Sequence, residues 1–242
     1  MSAYHSSAPA EGDAGEQRED LMLYPMSYAQ QRLWFLDQLE PGSPAYNVPV
    51  AFRLEGPLKL TALEQSFNEI IRRHAVLRTS FIVEEGQPFQ AVAPSLTVRI
   101  TNLDLGDVPQ AERETEALRL VSEEAGKPFD VSARPLIRIT LLRVGEEDHI
   151  LLLVIHHIIC DQWSLAVLYR ELSILYEAFS RGQPSPLQDL AIQYADFAAW
   201  QQEQVQGRLL EEQLSYWRAS LAGCVAALDL PTDRPRRGPQ SG

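Results

Sequence analysis

Two adjacent histidines and an aspartate, at positions His156, His157 and Asp161, lie between a strand-like and a helix-like segment. The run from Ile150 to Ile155 is unbroken apolar sequence of strand length, so the histidines follow the end of a core strand. Catalytic and binding groups concentrate in the loops that follow such rigid elements. Because an unperturbed imidazole is mostly neutral at pH 7, it can accept a proton or a hydrogen bond. The pattern therefore indicates a site for proton transfer or for hydrogen bonding to a bound group.

The residues after this junction are predicted to form a helix from Trp163 to Arg181. Its apolar residues recur at spacings of three and four, which places them on one face. They are Leu165, Leu168, Leu172, Leu175 and Phe179. Gly182 is expected to end the helix.

An antiparallel hairpin is predicted to carry the histidines. Residues Leu136 to Val144 alternate apolar and polar side chains, and Gly145 to Asp148 turn the chain into the apolar strand. Thr61 and Glu64 fit a capping box that begins another helix. Further helices are predicted over Tyr28 to Leu39, Gln110 to Ala125, Ile192 to Gln206 and Arg208 to Ala222, and further strands over Val48 to Leu54, Thr79 to Glu84 and Pro88 to Val92.

The composition is that of a globular chain with an acidic balance. Of 242 residues, 45% are hydrophobic and 22% charged, which permits a sizeable core. A formal net charge of -12 argues against a nucleic-acid partner, since phosphate binding needs clustered Lys and Arg. No apolar run reaches the roughly 18 residues of a membrane span. The two cysteines form no disulfide framework, so a cytoplasmic location is expected.

Both ends of the sequence differ in composition from its centre. Residues 1–20 are too polar to offset their ordering entropy and are expected to form a disordered lead. Residues 231–242 combine Pro and Arg with little apolar content, which is typical of a linker. The folded domain is therefore predicted to comprise residues 21–230.

Four motifs in this sequence resemble those of nonribosomal peptide synthetase condensation domains, in the family's order. His156 to Asp161 resembles the HHxxxDG motif, and Ser27 to Trp34 resembles SxAQxRLW. Arg73 to Phe81 resembles RHxxLRTxF, and Tyr194 to Trp200 resembles YxDFAxW. The agreement of four separate motifs makes this resemblance far more specific than an isolated HHxxxD.

The resemblance implies an α+β fold, namely one chloramphenicol acetyltransferase-like lobe in which helices pack on a mixed β-sheet. In that family two such lobes form one domain, and residues 231–242 correspond to the linker toward a C-terminal lobe. The family joins a carrier-bound acyl or peptidyl thioester to an aminoacyl amine. The implied partners are donor and acceptor peptidyl carrier proteins and the C-terminal lobe. The substrates are held on the carriers' phosphopantetheine arms, so no cofactor bound by this chain is expected.

The resemblance also assigns roles to individual residues. It singles out His157 as catalytic and gives His156 a supporting role, and Trp163 and Ser164 continue the motif. It implies that Asp161 pairs with Arg78. From the residues alone, Asp161 could be a second catalytic group or the N-cap of the following helix, and a cap is physically natural at this junction. We expect a structural role for Asp161.

One residue of the motif departs from the family pattern. Gln162 stands where the family usually has glycine, and it would be strained if that position required a positive φ. We therefore expect an ordinary backbone at Gln162, because the residues after it continue the pattern.

Other chemistry-bearing residues have simpler interpretations. Cys160, in an apolar context, is expected to be an inert core thiol rather than a nucleophile. No third ligand cluster supports a metal site with the histidines and Asp161. Three tryptophans and one histidine, on apolar faces of predicted helices, are expected in the core. They are Trp34, Trp200, Trp217 and His74.

Two other functions remain open on the sequence. The chain could be a non-catalytic fragment that docks a carrier protein or a C-terminal lobe, exposing an apolar face where that lobe packs. It could also be an acyl-CoA-dependent acyltransferase, because HxxxD occurs throughout that superfamily. The motifs containing Arg32 and Arg78 favour the synthetase branch over this second alternative.

Overall fold

The computed structural model of the protein describes residues 21–224 and residue 231. The predicted disordered lead and all but residue 231 of the predicted linker lie outside this part. Seven strands form in the described part: β1 (Met22–Pro25), β2 (Asn47–Glu55), β3 (Thr79–Glu84), β4 (Gln87–Val92), β5 (Thr101–Asp104), β6 (Ile137–Gly145) and β7 (Asp148–His156). Six α-helices form there: α1 (Tyr28–Leu39), α2 (Leu60–Arg73), α3 (Arg113–Gly126), α4 (Gln162–Ser180), α5 (Tyr194–Gln204) and α6 (Gly207–Ser220).

The strands form two sheets, which confirms the α+β prediction. The larger sheet has the order β2-β7-β6-β5 and is mixed, because β5 runs parallel to β6 while the other pairs are antiparallel. The smaller sheet, β1-β4-β3, is antiparallel throughout. The predicted hairpin of β6 and β7 is present, with Gly145 paired to Asp148 across the turn. The sequence did not reveal the second sheet as a separate unit.

Strand β7 is apolar from Ile150 to Ile155 because both of its faces are covered there. Successive side chains point to opposite faces of a sheet. Ile150 packs in a cluster with Ala117 of α3, whereas Leu151 and Leu153 belong to the core that includes Leu165 of α4. Helices on both faces therefore hold the strand that ends at the two histidines.

Local hydrogen bonds set where the helices begin and end. Ser27 caps α1 in a reciprocal capping box with Gln30. The predicted box at Thr61 and Glu64 is wrong, because α2 begins at Leu60 and Thr61 already lies inside its first turn. The Glu64 side chain instead accepts a hydrogen bond from the backbone N–H of Ile100 at 3.3 Å.

Helix α4 begins and ends as predicted, within one residue. Its last residue is Ser180, and Gly182 follows with φ of +70°, a conformation that glycine adopts without strain. None of the helices formed by residues 21–224 is both long and apolar enough to span a membrane.

Candidate active site

The turn that follows β7 is anchored to two neighbouring segments. The backbone N–H of His156 donates to the carbonyl of Leu136 at 3.0 Å, and that of His157 donates to the carbonyl of Tyr46 at 2.8 Å. Leu136 precedes β6 and Tyr46 precedes β2, so the position of the turn is fixed from both sides of β7. The N–H of Ile159 closes the turn on the carbonyl of His156 at 3.1 Å.

His156 points into the core and is only 2% exposed. Its Nδ1 accepts a hydrogen bond from the backbone N–H of Ile158 at 3.2 Å, which leaves the ring proton on Nε2. The ring lies 6.1 Å from that of Phe129 and 6.4 Å from that of Tyr46. Burial, followed by the proximity of His157, lowers the pKa of His156 to about 4. The ring is therefore neutral at pH 7.

His157 is exposed, whereas His156 is buried. His156 is the last residue of β7 and His157 is the first residue of the turn, and the change of direction there leaves one ring buried and the other accessible. Within residues 21–224 the imidazole of His157 makes no hydrogen bond. A neutral ring in this position can accept a hydrogen bond or a proton from an incoming group.

Asp161 is the N-cap of α4. Its Oδ1 accepts hydrogen bonds from the Ser164 backbone N–H at 2.8 Å and from the Ser164 hydroxyl at 2.6 Å. The hydroxyl and the N–H of Ser164, in that order, lower the pKa of Asp161 below its ordinary value. The charge of His157 makes a smaller contribution to the same shift in the pKa of Asp161. The sequence left three roles possible for Asp161: a catalytic group, a partner of Arg78 and a helix cap. The hydrogen bonds support the helix cap.

The implied pair between Asp161 and Arg78 is not formed, which corrects the sequence-based expectation. The guanidinium of Arg78 donates to the carbonyls of Ile71 at 3.2 Å, Ala93 at 2.5 Å and Arg72 at 3.3 Å. Burial, followed by the charge of Arg72, lowers the pKa of Arg78. Backbone carbonyls thus take up the donors that the family motif assigns to the aspartate.

The rest of the motif adopts an ordinary helical start. Gln162 is the first residue of α4, and among the described residues the non-glycine position with a positive φ is Glu85. Glutamine in place of glycine is therefore unstrained, as expected. Trp163, whose side chain is 80% exposed, and Ser164 continue the first turn beside the histidine turn.

Cys160 is buried, as the sequence predicted, and carries a free thiol. Burial, followed by the charge of Asp161, raises the pKa of this thiol to about 12. The thiolate is the nucleophilic form of cysteine. Cys160 is therefore protonated at neutral pH and does not serve as a nucleophile beside His157.

The core predictions for aromatic residues hold in part. Trp34 is partly buried against the core, but Trp200 and Trp217 are 55% and 57% exposed. For these two the prediction is wrong, because each lies on a helix face that no described element covers fully. His74 is half-buried and hydrogen-bonded.

A buried charge cluster between α2 and α4 was not predicted. The Glu171 carboxylate of α4 accepts from Arg73 Nε at 3.2 Å and Nη2 at 3.3 Å, and its Oε2 lies 2.9 Å from His74 Nε2. Burial alone raises the pKa of Glu171, but the hydrogen bonds from Arg73 and His74 outweigh it and lower the pKa overall. The sequence signal for this cluster is an acidic residue, Glu171, that lies between Leu168 and Leu175 in the apolar stripe of a predicted helix.

The first motif, at Ser27 to Trp34, is joined by polar contacts to the last motif, at Tyr194 to Trp200, and to strand β4. The Ser27 hydroxyl lies 2.9 Å from the Tyr194 hydroxyl, which links α1 to α5. Gln30 Nε2 donates to Gln90 Oε1 at 3.1 Å, which links α1 to β4. In this structure these motif residues hold elements together and do not face His157.

Comparisons with known proteins agree with this fold. A family model described as the condensation domain matches residues 21–241. Phosphinothricin tripeptide synthetase PhsC of Streptomyces viridochromogenes is 45% identical over 212 residues, which are 88% of this chain and 20% of that protein. Chondramide synthase cmdD of Chondromyces crocatus is 43% identical over 217 residues, which are 90% of this chain and 6% of that protein.

Solved structures give the same result for the fold. The X-domain from teicoplanin biosynthesis superposes with a TM-score of 0.76 at 29% identity, covering 95% of this chain and 49% of that one. The first condensation domain of the CDA synthetase superposes with a TM-score of 0.74 at 22% identity, covering 87% of this chain and 53% of that one. The chain thus spans about half the length of these solved chains and a small part of the curated relatives. By its sequence and fold, the chain belongs to the condensation-domain family and corresponds to the N-terminal portion of such a domain.

Proposed function

We propose that this chain supplies the catalytic histidine, His157, of a condensation domain that forms amide bonds. The observation that carries the proposal is an exposed imidazole whose backbone is hydrogen-bonded to Tyr46, beside a second histidine that is buried and neutral. One ring is thereby available to a substrate, while the other stabilises the turn.

The chemistry requires a neutral amine, because an ammonium has no lone pair. The acceptor nitrogen attacks the thioester carbonyl of the donor, a C–N bond forms, and the C–S bond breaks to release the donor's thiol. The proton lost by nitrogen must pass to a base. His157 accepts the hydrogen bond from this amine, either to remove the proton or to orient the lone pair.

The proposed partners follow from the family. Donor and acceptor carrier proteins present the two substrates on phosphopantetheine arms, and a C-terminal lobe completes the domain around His157. We infer that residues 21–230 form the N-terminal lobe and that residues 231–242 lead toward the other lobe.

A docking role has support from a separate observation. Helix α6 contains Tyr216 and Trp217 with more than half of each side chain exposed, and none of its residues is buried in the described structure. A helix with such a face favours association with another polypeptide. On this alternative the chain binds a C-terminal lobe or a carrier protein without catalysing a reaction itself.

One assay separates these functions. Loaded donor and acceptor carrier proteins are supplied to the purified chain, with and without a separately produced C-terminal lobe, and dipeptide is quantified. Dipeptide formed with the lobe and lost in His157→Ala supports the proposal. Association with the lobe without any dipeptide supports the docking role, and turnover of free acyl-CoA supports the acyltransferase alternative.

A further inference from the structure

A cavity of about 330 Å³ lies between the first turns of α4, the end of α2 and the segment that enters α5. Its lining is mostly apolar. The apolar residues are Ile70, Val76, Leu77, Ile159, Trp163, Val167, Leu168, Leu190 and Ile192. The volume is at the lower end of the roughly 300–1,000 Å³ of small-molecule sites, which is large enough to hold an amino-acid side chain.

The polar groups that line the cavity are already engaged in holding the fold. His74 is bonded to Glu171, the Ser164 hydroxyl donates to Asp161, and the Cys160 thiol donates to the Asp161 carbonyl.

The two remaining polar residues are engaged as well. The Gln193 side chain donates to the Arg73 carbonyl and accepts from the Ala75 N–H, both within 3.0 Å. Tyr194 is bonded to Ser27. No Asp, Glu, Lys or Arg lines the cavity within the described chain. A charged group entering it would lose its hydration without gaining a partner, which is costly.

The cavity is continuous with the turn that carries the candidate catalytic residue. Ile159 and Cys160, two and three residues after His157, form part of its wall. Ser164, another wall residue, is hydrogen-bonded to Asp161, four residues after His157. His157 itself does not line the cavity. A molecule whose reacting group meets His157 could therefore place an adjoining group in the cavity.

We propose that this cavity binds the apolar side chain of an aminoacyl substrate and so selects for uncharged aliphatic residues. The inference rests on the proposed function, because it assigns a substrate class to the same site. Trp163 and Ile192, which are 80% and 70% exposed, form the rim that such a side chain passes. Selection follows from burial of apolar surface, at about 25 cal/mol per Å², and from exclusion of charge.

The test measures binding to the purified chain, without any amide formation. The probes are the N-acetylcysteamine thioesters of leucine and of aspartate, titrated by calorimetry and by methyl NMR. We expect the leucyl probe to bind at least tenfold more tightly than the aspartyl probe and to shift the methyl resonances of Leu168 and Ile159. Val167→Trp, which fills the half-buried wall of the cavity, should weaken leucyl binding at least tenfold.

Matched variants keep the test decisive. Val83→Trp makes the same substitution at an exposed position of β3 and should leave leucyl binding unchanged. Val167→Ala enlarges the cavity without threatening the fold and should improve binding of a phenylalanyl probe relative to the leucyl probe.

Three results would overturn the inference: equal affinity for the leucyl and aspartyl probes, unchanged binding in Val167→Trp, or methyl shifts confined to other surfaces. These results are independent of the proposed function. The proposed catalytic role is decided separately, by dipeptide formation in His157→Ala, so either proposal can fail without the other.

Discussion

At the scale of single residues, the two adjacent histidines differ because their side chains point in different directions. His156 points into the core, accepts a hydrogen bond from the Ile158 N–H and stays neutral, while His157 points outward. The difference occurs where β7 ends at His156 and the turn begins at His157. In the proposed site, His157 is the reactive ring and His156 supports the turn that carries it.

Replacing His157 by alanine in a complete condensation domain should lower the rate of dipeptide formation by about 10²–10⁴-fold, the usual contribution of a general acid or base. Because the side chain is exposed, the free energy of unfolding should change little. Both quantities are measured, the first with loaded carrier proteins and the second by urea denaturation. Gln162→Ala, in the same turn, serves as the control and should stay active; a His157→Ala domain with normal rate would disprove the role.

Asp161→Ala should destabilise the fold, since it removes the cap of α4. We expect a loss of about 0.5–2 kcal/mol in the free energy of unfolding, while Asp161→Asn, which can still cap, should lose only a fraction of that. The pKa of Asp161 is lowered in the folded state, so its contribution is complete above its unfolded pKa and disappears as the pH falls through the lower folded value. Urea denaturation at several pH values checks both points.

Fully stable but inactive Asp161→Ala protein would contradict this structural role. It would show instead that the carboxylate acts on the substrate.

His156 should make the fold sensitive to mild acid. Its folded pKa of about 4 lies below the value of about 6.5 for an unperturbed histidine, so protonation favours the unfolded chain. The stabilisation is complete above pH 6.5 and is lost between pH 6.5 and 4, by roughly 3 kcal/mol over the window. Unfolding free energies measured across this range should show the decrease.

His156→Asn offers a matched comparison, because its side-chain oxygen can accept the bond from Ile158. This variant should have a flatter pH dependence over the same window. An unchanged slope would mean that another group is responsible.

The sequence predicted the residues at the site better than their partners. The placement of His157 and Asp161 between a strand and a helix was predictable from the sequence. An apolar run of strand length ends before the histidines, and a helical periodicity begins after Asp161. The partner of Arg78 could not be predicted this way, because its guanidinium is satisfied by three backbone carbonyls. A motif specifies side-chain types, whereas the carbonyls available to a long side chain depend on the folded path of the backbone.

At the scale of secondary structure elements, the ion cluster around Glu171 joins three segments: α4, the end of α2 and the segment that contains Gln188. Arg73 and His74, at the end of α2, contact Glu171 from one side, and Arg73 also donates to the carbonyl of Gln188. Since Asp161 caps the start of α4, this cluster at the middle of the helix holds the element that follows the turn carrying His157.

Glu171→Ala should therefore destabilise the protein by about 3–5 kcal/mol, because it leaves the buried Arg73 without a counter-charge. The double variant Arg73→Met/Glu171→Leu should recover much of this loss, since apolar replacement of a buried pair is often neutral or better. A double-mutant cycle by urea denaturation measures the coupling. Additive effects of the two single changes would contradict a coupled pair.

Long periodic elements were predictable and short ones were not. Helix α4 and strand β7 are 19 and 9 residues long, and each begins and ends within two residues of its predicted bounds. Strands β1 and β5 have four residues each and mixed burial, so neither contains enough repeats to show a period. Their pairing is decided by the neighbouring strands β4 and β6.

At the scale of the whole molecule, α6 is the element with the least support. A helix of 14 residues is marginal in water when nothing packs against it. Its exposed aromatic residues, Tyr216 and Trp217, match the apolar face that the sequence led us to expect on a single lobe. The solved relatives are about twice as long as this chain, so a second lobe is the natural candidate to cover this face.

Mixing the chain with a separately produced C-terminal lobe should bury Trp217 and shift its fluorescence to shorter wavelength. The other three tryptophans contribute a background, so Trp217→Phe is the control and should lose most of the shift. Trp217→Ala should weaken association by at least tenfold if the indole lies at the centre of the contact. A complex that forms without any change at Trp217 would place the contact elsewhere.

Under the proposed function, in which the site meets activated acyl groups, the protonated state of the Cys160 thiol has a chemical consequence. A thiolate three residues from His157 would capture the acyl group by thioester exchange and leave the chain acylated on itself. With its pKa raised to about 12, Cys160 contains almost no thiolate at neutral pH, and its burial also blocks approach. In the proposed reaction, the acyl group would thereby be reserved for the incoming nitrogen.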